Sequence, residues 1–406
     1  MTVKPDFLRF FLPGKAVCLA VCVAASLTIA GCGGGDSSNS GGGQVVITDP
    51  SNPPGPGQFQ AAVFIRTVSV GDVAAALPAG AASAFIPLYS VDTYKLTYTT
   101  TDSSGHSVTA SGLAAIPRKA SSLASPVLSY QHATAKTDAE APSNHATPDE
   151  PAVLFASMGY LVSAADYVGY GASKGLPHPY LLAAPTAASV SDFITASARW
   201  RKSQAIADNG QLFFTGYSEG AYATIATLRF LTQNQTASSA LPVTTFAGAG
   251  PYDVALTLNY LLAAVRQQNP ALGALISPGF LRNLGANDRA NLARLLLLAA
   301  LGGQSNVSFD PTFLNNFLND DTAAIASQSS VVDWTPQSPI VFFAGRDDTT
   351  VPYANTDSIV QAMSNRGAGA LIQRIDCPAQ PSEHLPCVSP FLVSDIARLG
   401  ALAKGL

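Results

Sequence analysis

Two patterns of hydrophobic and polar positions follow one another along the chain. From Val91 to Tyr98, and again from Val108 to Ile116, apolar and polar residues alternate on either side of Asp102-Ser103-Ser104-Gly105, which predicts an antiparallel hairpin. Beyond it the apolar positions run together in short blocks at Val127–Tyr130, Tyr160–Ala164, Leu212–Thr215, Thr244–Ala247, Ile340–Ala344 and Leu371–Ile375. A block without alternation suits a strand covered on both faces, and the intervals between the blocks are long enough for crossover connections. Two intervals, Thr186–Ser203 and Glu219–Gln233, show helical spacing with few breakers. The whole predicts an α/β fold, a mostly parallel sheet flanked by helices. The spacing widens between Asp253 and Trp334, where Leu256–Val265 and Leu292–Leu301 read as helices of an inserted cap spanning about 253–334.

The N-terminal segment follows neither pattern. Lys4, Arg9 and Lys15 precede the apolar run Ala16–Ala30, which is too short for a comfortable membrane span and reads as a cleavable export signal over residues 1–31. Ile29-Ala30-Gly31-Cys32 resembles a bacterial lipobox, in which small residues precede a cysteine that is lipidated and becomes the new N-terminus. If it resembles Gram-negative lipoproteins here, Gly33 rather than Asp after Cys32 points to outer-membrane sorting; ordinary secretion after cleavage near Gly31 is the alternative. The following stretch is rich in Gly, Ser and Pro, cannot pack a core, and makes residues 32–60 a tether reaching some 30 Å. The globular domain is expected over 61–406.

Composition narrows the classes. Of 406 residues 47% are hydrophobic and only 12% charged, yet the one long apolar run is the N-terminal one, so a multispan membrane protein is excluded. A net charge of -4 without a basic stripe gives no electrostatic footprint for nucleic acid. Of five cysteines, Cys18 and Cys22 lie in the signal and Cys32 at the lipobox. Cys377 and Cys387 remain, and in an exported domain they suggest a disulfide. Two cysteines and one nearby histidine are too few ligands for a closed zinc site, so no metal is expected.

The chemistry-bearing segment is Gly216-Tyr217-Ser218-Glu219-Gly220, which follows an apolar block and precedes a helical one. A nucleophile elbow requires that strand-turn-helix context, with glycines where backbone must approach without a Cβ. A serine hydroxyl needs a base oriented by an acid, and on such a scaffold both follow the serine. Only His384 lies downstream of Ser218, which makes it the base; His106, His132, His145 and His178 all precede it. The acid is expected in Gly345-Arg346-Asp347-Asp348 after the Ile340–Ala344 block, with Asp348 chosen and Asp347 the alternative. A Cys377–Cys387 bridge would then staple the loop that carries His384. The oxyanion of a tetrahedral intermediate needs backbone donors, one from Glu219 and one from Gln131-His132-Ala133-Thr134, where Ala133 or Thr134 is the donor. His132 reads either as an orienting group for this loop or as a packed core histidine.

Together SYQHAT, DYVGYGASKGLPHPYL at Asp166–Leu181, GYSEG, GRDDTTVP and a final histidine resemble the α/β-hydrolase superfamily, and within it the secretory lipases typified by a fungal lipase A. The resemblance covers roughly residues 85–406. It implies a carboxylic ester hydrolase that needs no cofactor, carries a helical cap over the acyl site, and uses Ser218, Asp348 and His384. Its substrate would be acyl or lipid-like, and its membrane contact would run through the lipidated N-terminus. Ala133 departs from the glycine common in that loop, which is tolerable if the backbone there avoids positive φ. Asp166 reads as a structural tie between loops, and Leu292–Leu301 either as acyl-pocket lining or as cap core. A peptidase or amidase with the same triad, and a noncatalytic surface-binding lipoprotein, are the competing readings.

Overall fold

The computed structural model describes residues 52–77, 85–120, 122–234, 241–268 and 281–406. The export signal, Cys32 and most of the tether lie outside the described residues. Within them, nine strands form one sheet: β1 (Phe59–Val68), β2 (Val91–Thr101), β3 (Ser107–Pro117), β4 (Ser125–Gln131), β5 (Leu161–Ala165), β6 (Asp208–Tyr217), β7 (Thr244–Gly248), β8 (Ile340–Ala344) and β9 (Ile372–Asp376), in the order β1-β2-β3-β5-β4-β6-β7-β8-β9. The first three are antiparallel, and β3 joins β5 antiparallel. From β5 to β9 every pair is parallel. The carboxyl ends of the parallel strands therefore share one rim. The chain order reverses at β4, and ligands of open α/β sheets settle in the crevice beyond such a switch point.

The apolar blocks are explained by coverage of both faces. After α1 (Val70–Ala76) and α2 (Pro151–Ser157) come the helices α3 (Ala183–Ser203) and α4 (Glu219–Gln233); Phe214 and Phe342 enter one core with α3 and α4, while their neighbours Phe213 and Phe343 enter the core on the other face. Each such ring contributes roughly 1.5–3 kcal/mol by leaving water. The second face is covered by the short helix Pro151–Ser157 and the C-terminal helix Val388–Leu402, neither of which the periodicity predicts.

β1 is an unpredicted edge strand. Register shifts beside Phe59 and Phe64 break its alternation, and Phe64 is exposed, so no clean period marks it. Ordered packing also begins before residue 61. Asn52 bonds the backbone of Phe59, and Arg199 donates to the Gly57 carbonyl at 2.6 Å, so the last residues read as tether are docked on the domain. Between β7 and β8 the chain adds the helices Val254–Gln268, Ala286–Leu301 and Thr312–Leu318. This insertion is pinned above the rim: Lys136 Nζ donates to the Gly302 carbonyl at 2.9 Å, and the Asp310 N–H to the His178 carbonyl at 2.8 Å. No helix among the described residues is long and apolar enough to cross a membrane.

Candidate active site

β6 ends at Tyr217 and α4 begins at Glu219, which leaves Ser218 alone in the turn at φ 58°, ψ -125°. A non-glycine residue held there stores on the order of 1–3 kcal/mol of strain, sustained by the surrounding packing. Both flanking glycines have steric reasons. A Cβ on Gly216 would lie 2.3 Å from the Gly220 carbonyl oxygen, and one on Gly220 would lie 2.1 Å from the Gln131 carbonyl oxygen. The start of α4 is thus pressed directly onto the loop after β4. Gly220→Ala is expected to destabilise the domain by about 1–3 kcal/mol in thermal unfolding, because it overpacks backbone against backbone. A melting curve unchanged by that substitution would refute the close approach.

The structure brings Ser218, His384 and Asp348 together from positions far apart in sequence. The Ser218 hydroxyl lies 2.9 Å from His384 Nε2, and His384 Nδ1 donates to Asp348 Oδ2 at 2.6 Å. His384 and Asp348 are both buried. The other Asp348 oxygen accepts from the Thr350 and Val351 N–H groups at 2.9 and 2.8 Å, so the carboxylate is fixed in direction. Asp347, the alternative acid, points elsewhere. It accepts from the Ser382 N–H at 2.9 Å and the Ser382 hydroxyl at 2.8 Å, and these bonds hold its carboxyl below the usual range.

The histidine loop is secured from several sides. A Cβ on Gly345 would lie 1.9 Å from the Ser382 carbonyl oxygen, so the loop rests on the turn that carries Asp348. Cys377 and Cys387 are bridged across it. The Tyr217 hydroxyl donates to the His384 carbonyl at 2.7 Å, which ties the loop to the residue before Ser218.

The loop expected to complete an oxyanion site stands beside the first turn of α4. Gln131 pairs with Gly216 in the sheet, and its side chain shares a 2.7 Å hydrogen bond with Thr224 on α4. The Glu219 N–H, at the first helical position, has no acceptor within the helix and lies at the positive end of the helix dipole. Ala133 is not among the positive-φ residues, so the alanine sits there without backbone strain. The Thr134 side chain is engaged with the Tyr180 hydroxyl. His132 is packed against the Tyr167 ring at 4.1 Å between centroids, with Nδ1 donating to the Ala133 carbonyl at 2.7 Å. Burial pushes its pKa down, and its Nε2 lies 3.3 Å from the Asp166 carbonyl, so the ring is packed between this loop and the end of β5.

The Asp166–Leu181 segment is a set of ties beneath the site. Asp166 accepts from Ser111 Oγ at 2.6 Å and from the Ser143 N–H at 2.8 Å. Tyr167 and Tyr170 donate to the His132 and Ala135 carbonyls at 3.1 and 2.6 Å. Sequence reasoning missed one pair here: His178 Nε2 lies 2.6 Å from Glu219 Oε1, with His178 Nδ1 donating to the Val168 carbonyl at 2.9 Å. Glu219, the residue after Ser218, is therefore anchored by its side chain as well as by its place at the start of α4. The HPY motif and the glutamate in GYSEG were the available signals, but nothing in their spacing shows that they meet.

Above Ser218 lies a cleft lined by Tyr180, Leu181, Pro251, Leu258, Leu261 and Ala300 among others. Of the Leu292–Leu301 stretch only Ala300 reaches it; Leu292 and Leu296 are buried in the core instead. Among the described residues no cluster of three or more His, Cys, Asp or Glu side chains is placed to hold a metal ion.

No protein-family model matches the sequence, and no curated protein does. Solved structures match across most of the chain. The rice cell wall degrading esterase LipA of Xanthomonas oryzae is similar at 21% identity and a TM-score of 0.66, over 86% of this chain and 100% of that one. A Legionella pneumophila protein is similar at 19% identity and a TM-score of 0.65, over 84% and 97%. Candida antarctica lipase A in its closed state is similar at 20% identity and a TM-score of 0.52, over 83% and 81%. With the sheet order above, these establish the α/β-hydrolase fold.

Proposed function

We propose that this chain, built on the α/β-hydrolase fold, is a serine hydrolase of carboxylic esters. The observation that carries the reading is the continuous relay from Ser218 Oγ through His384 to Asp348 at the rim of the sheet. In the reaction Ser218 Oγ attacks the ester carbonyl carbon while His384 Nε2 takes its proton. Asp348 holds the imidazole in the tautomer that can accept there and stabilises the imidazolium that forms. Negative charge gathers on the former carbonyl oxygen, where the Glu219 N–H and a donor from Ala133 or Thr134 stabilise it; one such donor is worth about 10²–10³ in kcat. Collapse expels the alcohol, protonated by His384, and leaves an acyl-enzyme. Water, deprotonated by the same imidazole, then attacks the acyl carbon, and Ser218 recovers its proton.

The apolar lining of the Ser218 cleft favours an acyl group as the part that enters it. Rates on p-nitrophenyl esters of graded acyl length, set beside matched p-nitroanilides, test this. Esters are expected to react faster at every length, with a dependence on chain length; faster anilide cleavage would identify an amidase.

The export signal and lipobox extend the proposal to a lipid-anchored enzyme. Labelled palmitate should enter the full-length chain in a Gram-negative host and fail to enter the Cys32→Ala variant. Equal labelling of both would remove the anchor. The Cys377–Cys387 bridge adds a further expectation. A loop this short contributes about 2–3 kcal/mol when closed, and it carries the catalytic base. Mild reduction should therefore lower kcat before the far-ultraviolet circular dichroism changes. Loss of both signals together would give the bridge a role in global stability alone.

A further inference from the structure

A second cavity abuts the loop after β4 and shares no lining residue with the Ser218 cleft. It lies between that loop, the helix Pro151–Ser157 and the C-terminal helix Val388–Leu402, and is partly open to solvent. Its walls are mainly apolar and aromatic: Leu154, Val388, Leu392, Phe391, Tyr130 and Tyr217. One wall group does not fit that character. Glu150 is only 3% exposed, and its Oε1 has no hydrogen-bond partner among the described residues.

We propose that this cavity binds an alkylammonium group, held by the Glu150 carboxylate and by the aromatic rings of Tyr130, Tyr217 and Phe391. A buried carboxylate is ordinarily compensated by a cation or by several donors. Among the described residues no lysine or arginine lines the cavity, and Lys136 in the adjoining loop directs its ammonium to the Gly302 carbonyl. The Ala152 N–H favours the ionised form of Glu150, while the charged groups acting on it, Asp149 and Asp166, are both of the same sign. The other carboxyl groups of the wall have partners. Glu140 accepts from the Lys136 N–H and the Thr137 hydroxyl, and Asp149 faces His145 at 3.9 Å. His132 lines the cavity with its pKa pushed down by burial, and the C-terminal helix contributes no ionisable side chain to the wall.

None of the described residues supplies a cation that could pair with the ionised carboxyl, so the proposal places that cation on a ligand. A metal ion would need a cage of oxygen ligands, and the described residues offer no such cluster. An organic ammonium needs one carboxylate, aromatic rings and apolar walls, as in recognition by cation–π contact. Without a cation, burial and the two neighbouring carboxylates push Glu150 up to about 8, so the group is protonated at neutral pH. Binding a cation must first displace that proton. The site stands whether or not the hydrolase reading does. If that reading holds, a cation seated here contacts the residues that carry the oxyanion loop.

The test is calorimetric titration of the protein with choline and with its uncharged isostere 3,3-dimethylbutan-1-ol, from pH 6 to 9, in wild type and in Ser218→Ala. Choline affinity is expected to rise about tenfold per pH unit below 8 and to level off above it, since only the ionised fraction of Glu150 binds. The alcohol should show no such dependence, and Ser218→Ala should bind as wild type does. Glu150→Gln should remove both the tight choline binding and its pH dependence. The same variant should melt at a higher temperature than wild type at pH 8 and converge with it near pH 4. The sign follows because a carboxyl raised in the folded state loses its stabilising contribution as pH rises from the unfolded value to the folded one. If Glu150→Gln fails to fold, Leu392→Trp, which fills the cavity and leaves the carboxyl in place, should abolish choline binding. Absence of choline binding, equal affinity for the two probes, or binding that survives the variant that folds would overturn the proposal.

Discussion

Ser218→Ala is expected to lower kcat by about 10⁴–10⁶ while the thermal unfolding midpoint stays close to that of wild type. The size of the loss follows from the acyl-enzyme route, which has no substitute nucleophile once Oγ is gone. The residual rate would come from the oxyanion donors and from binding, which that substitution leaves in place. Stability should be spared because the hydroxyl's hydrogen bond is to His384, at the edge of the cleft, and alanine occupies the same strained backbone at φ 58° as readily as serine. Steady-state kinetics with p-nitrophenyl esters and a melting curve on the same preparation decide it. Hydrolysis within tenfold of wild type would remove Ser218 from the reaction.

Two adjacent carboxylates should respond to substitution in different ways. Asp348→Asn is expected to cost about 10⁴ in kcat, because an amide at that position favours the wrong imidazole tautomer and cannot stabilise the imidazolium. Its fold should persist, since an asparagine oxygen can still accept from the Thr350 and Val351 N–H groups. Asp347→Asn acts through position. It weakens charge-assisted bonds to Ser382 that hold the loop of His384, so a loss nearer 10-fold is expected, with an earlier thermal transition. The sign with pH follows from its direction of shift. Because the folded state depresses the Asp347 pKa, its stabilisation is present above the unfolded value near 4 and fades as pH falls through the lower folded value. The wild-type minus Asp347→Asn stability difference should therefore shrink in acid. An Asp347→Asn enzyme more impaired in kcat than Asp348→Asn would reverse the assignment.

The parts of this molecule legible in sequence are those where one physical constraint acts alone. Phe213 and Phe214 are both apolar because both faces of β6 are covered, and that produces the unbroken blocks from which the parallel sheet is read. GYSEG is legible because backbone approaches within 2.1–2.3 Å of where a Cβ would stand, which admits only glycine at Gly216 and Gly220. His384 followed from chain order. Asp347 and Asp348 share a turn, and their separation depends on the direction each side chain takes from it, which spacing does not contain. The pairing of His178 with Glu219 rests on two loops meeting across 41 residues and was invisible for the same reason. β1 escaped because bulges interrupt its period, and Glu150 because a buried lone carboxyl leaves no pattern in sequence.

The central claim is that the Ser218 hydroxyl is a nucleophile activated by His384. A fluorophosphonate label followed by intact-mass measurement and peptide mapping tests it without assuming a substrate. The account expects one adduct per folded chain, located on Ser218, and its near-complete loss in His384→Ala at unchanged circular dichroism. A folded protein that takes no label, or takes it on another residue, or labels equally fast without the imidazole, would contradict the account.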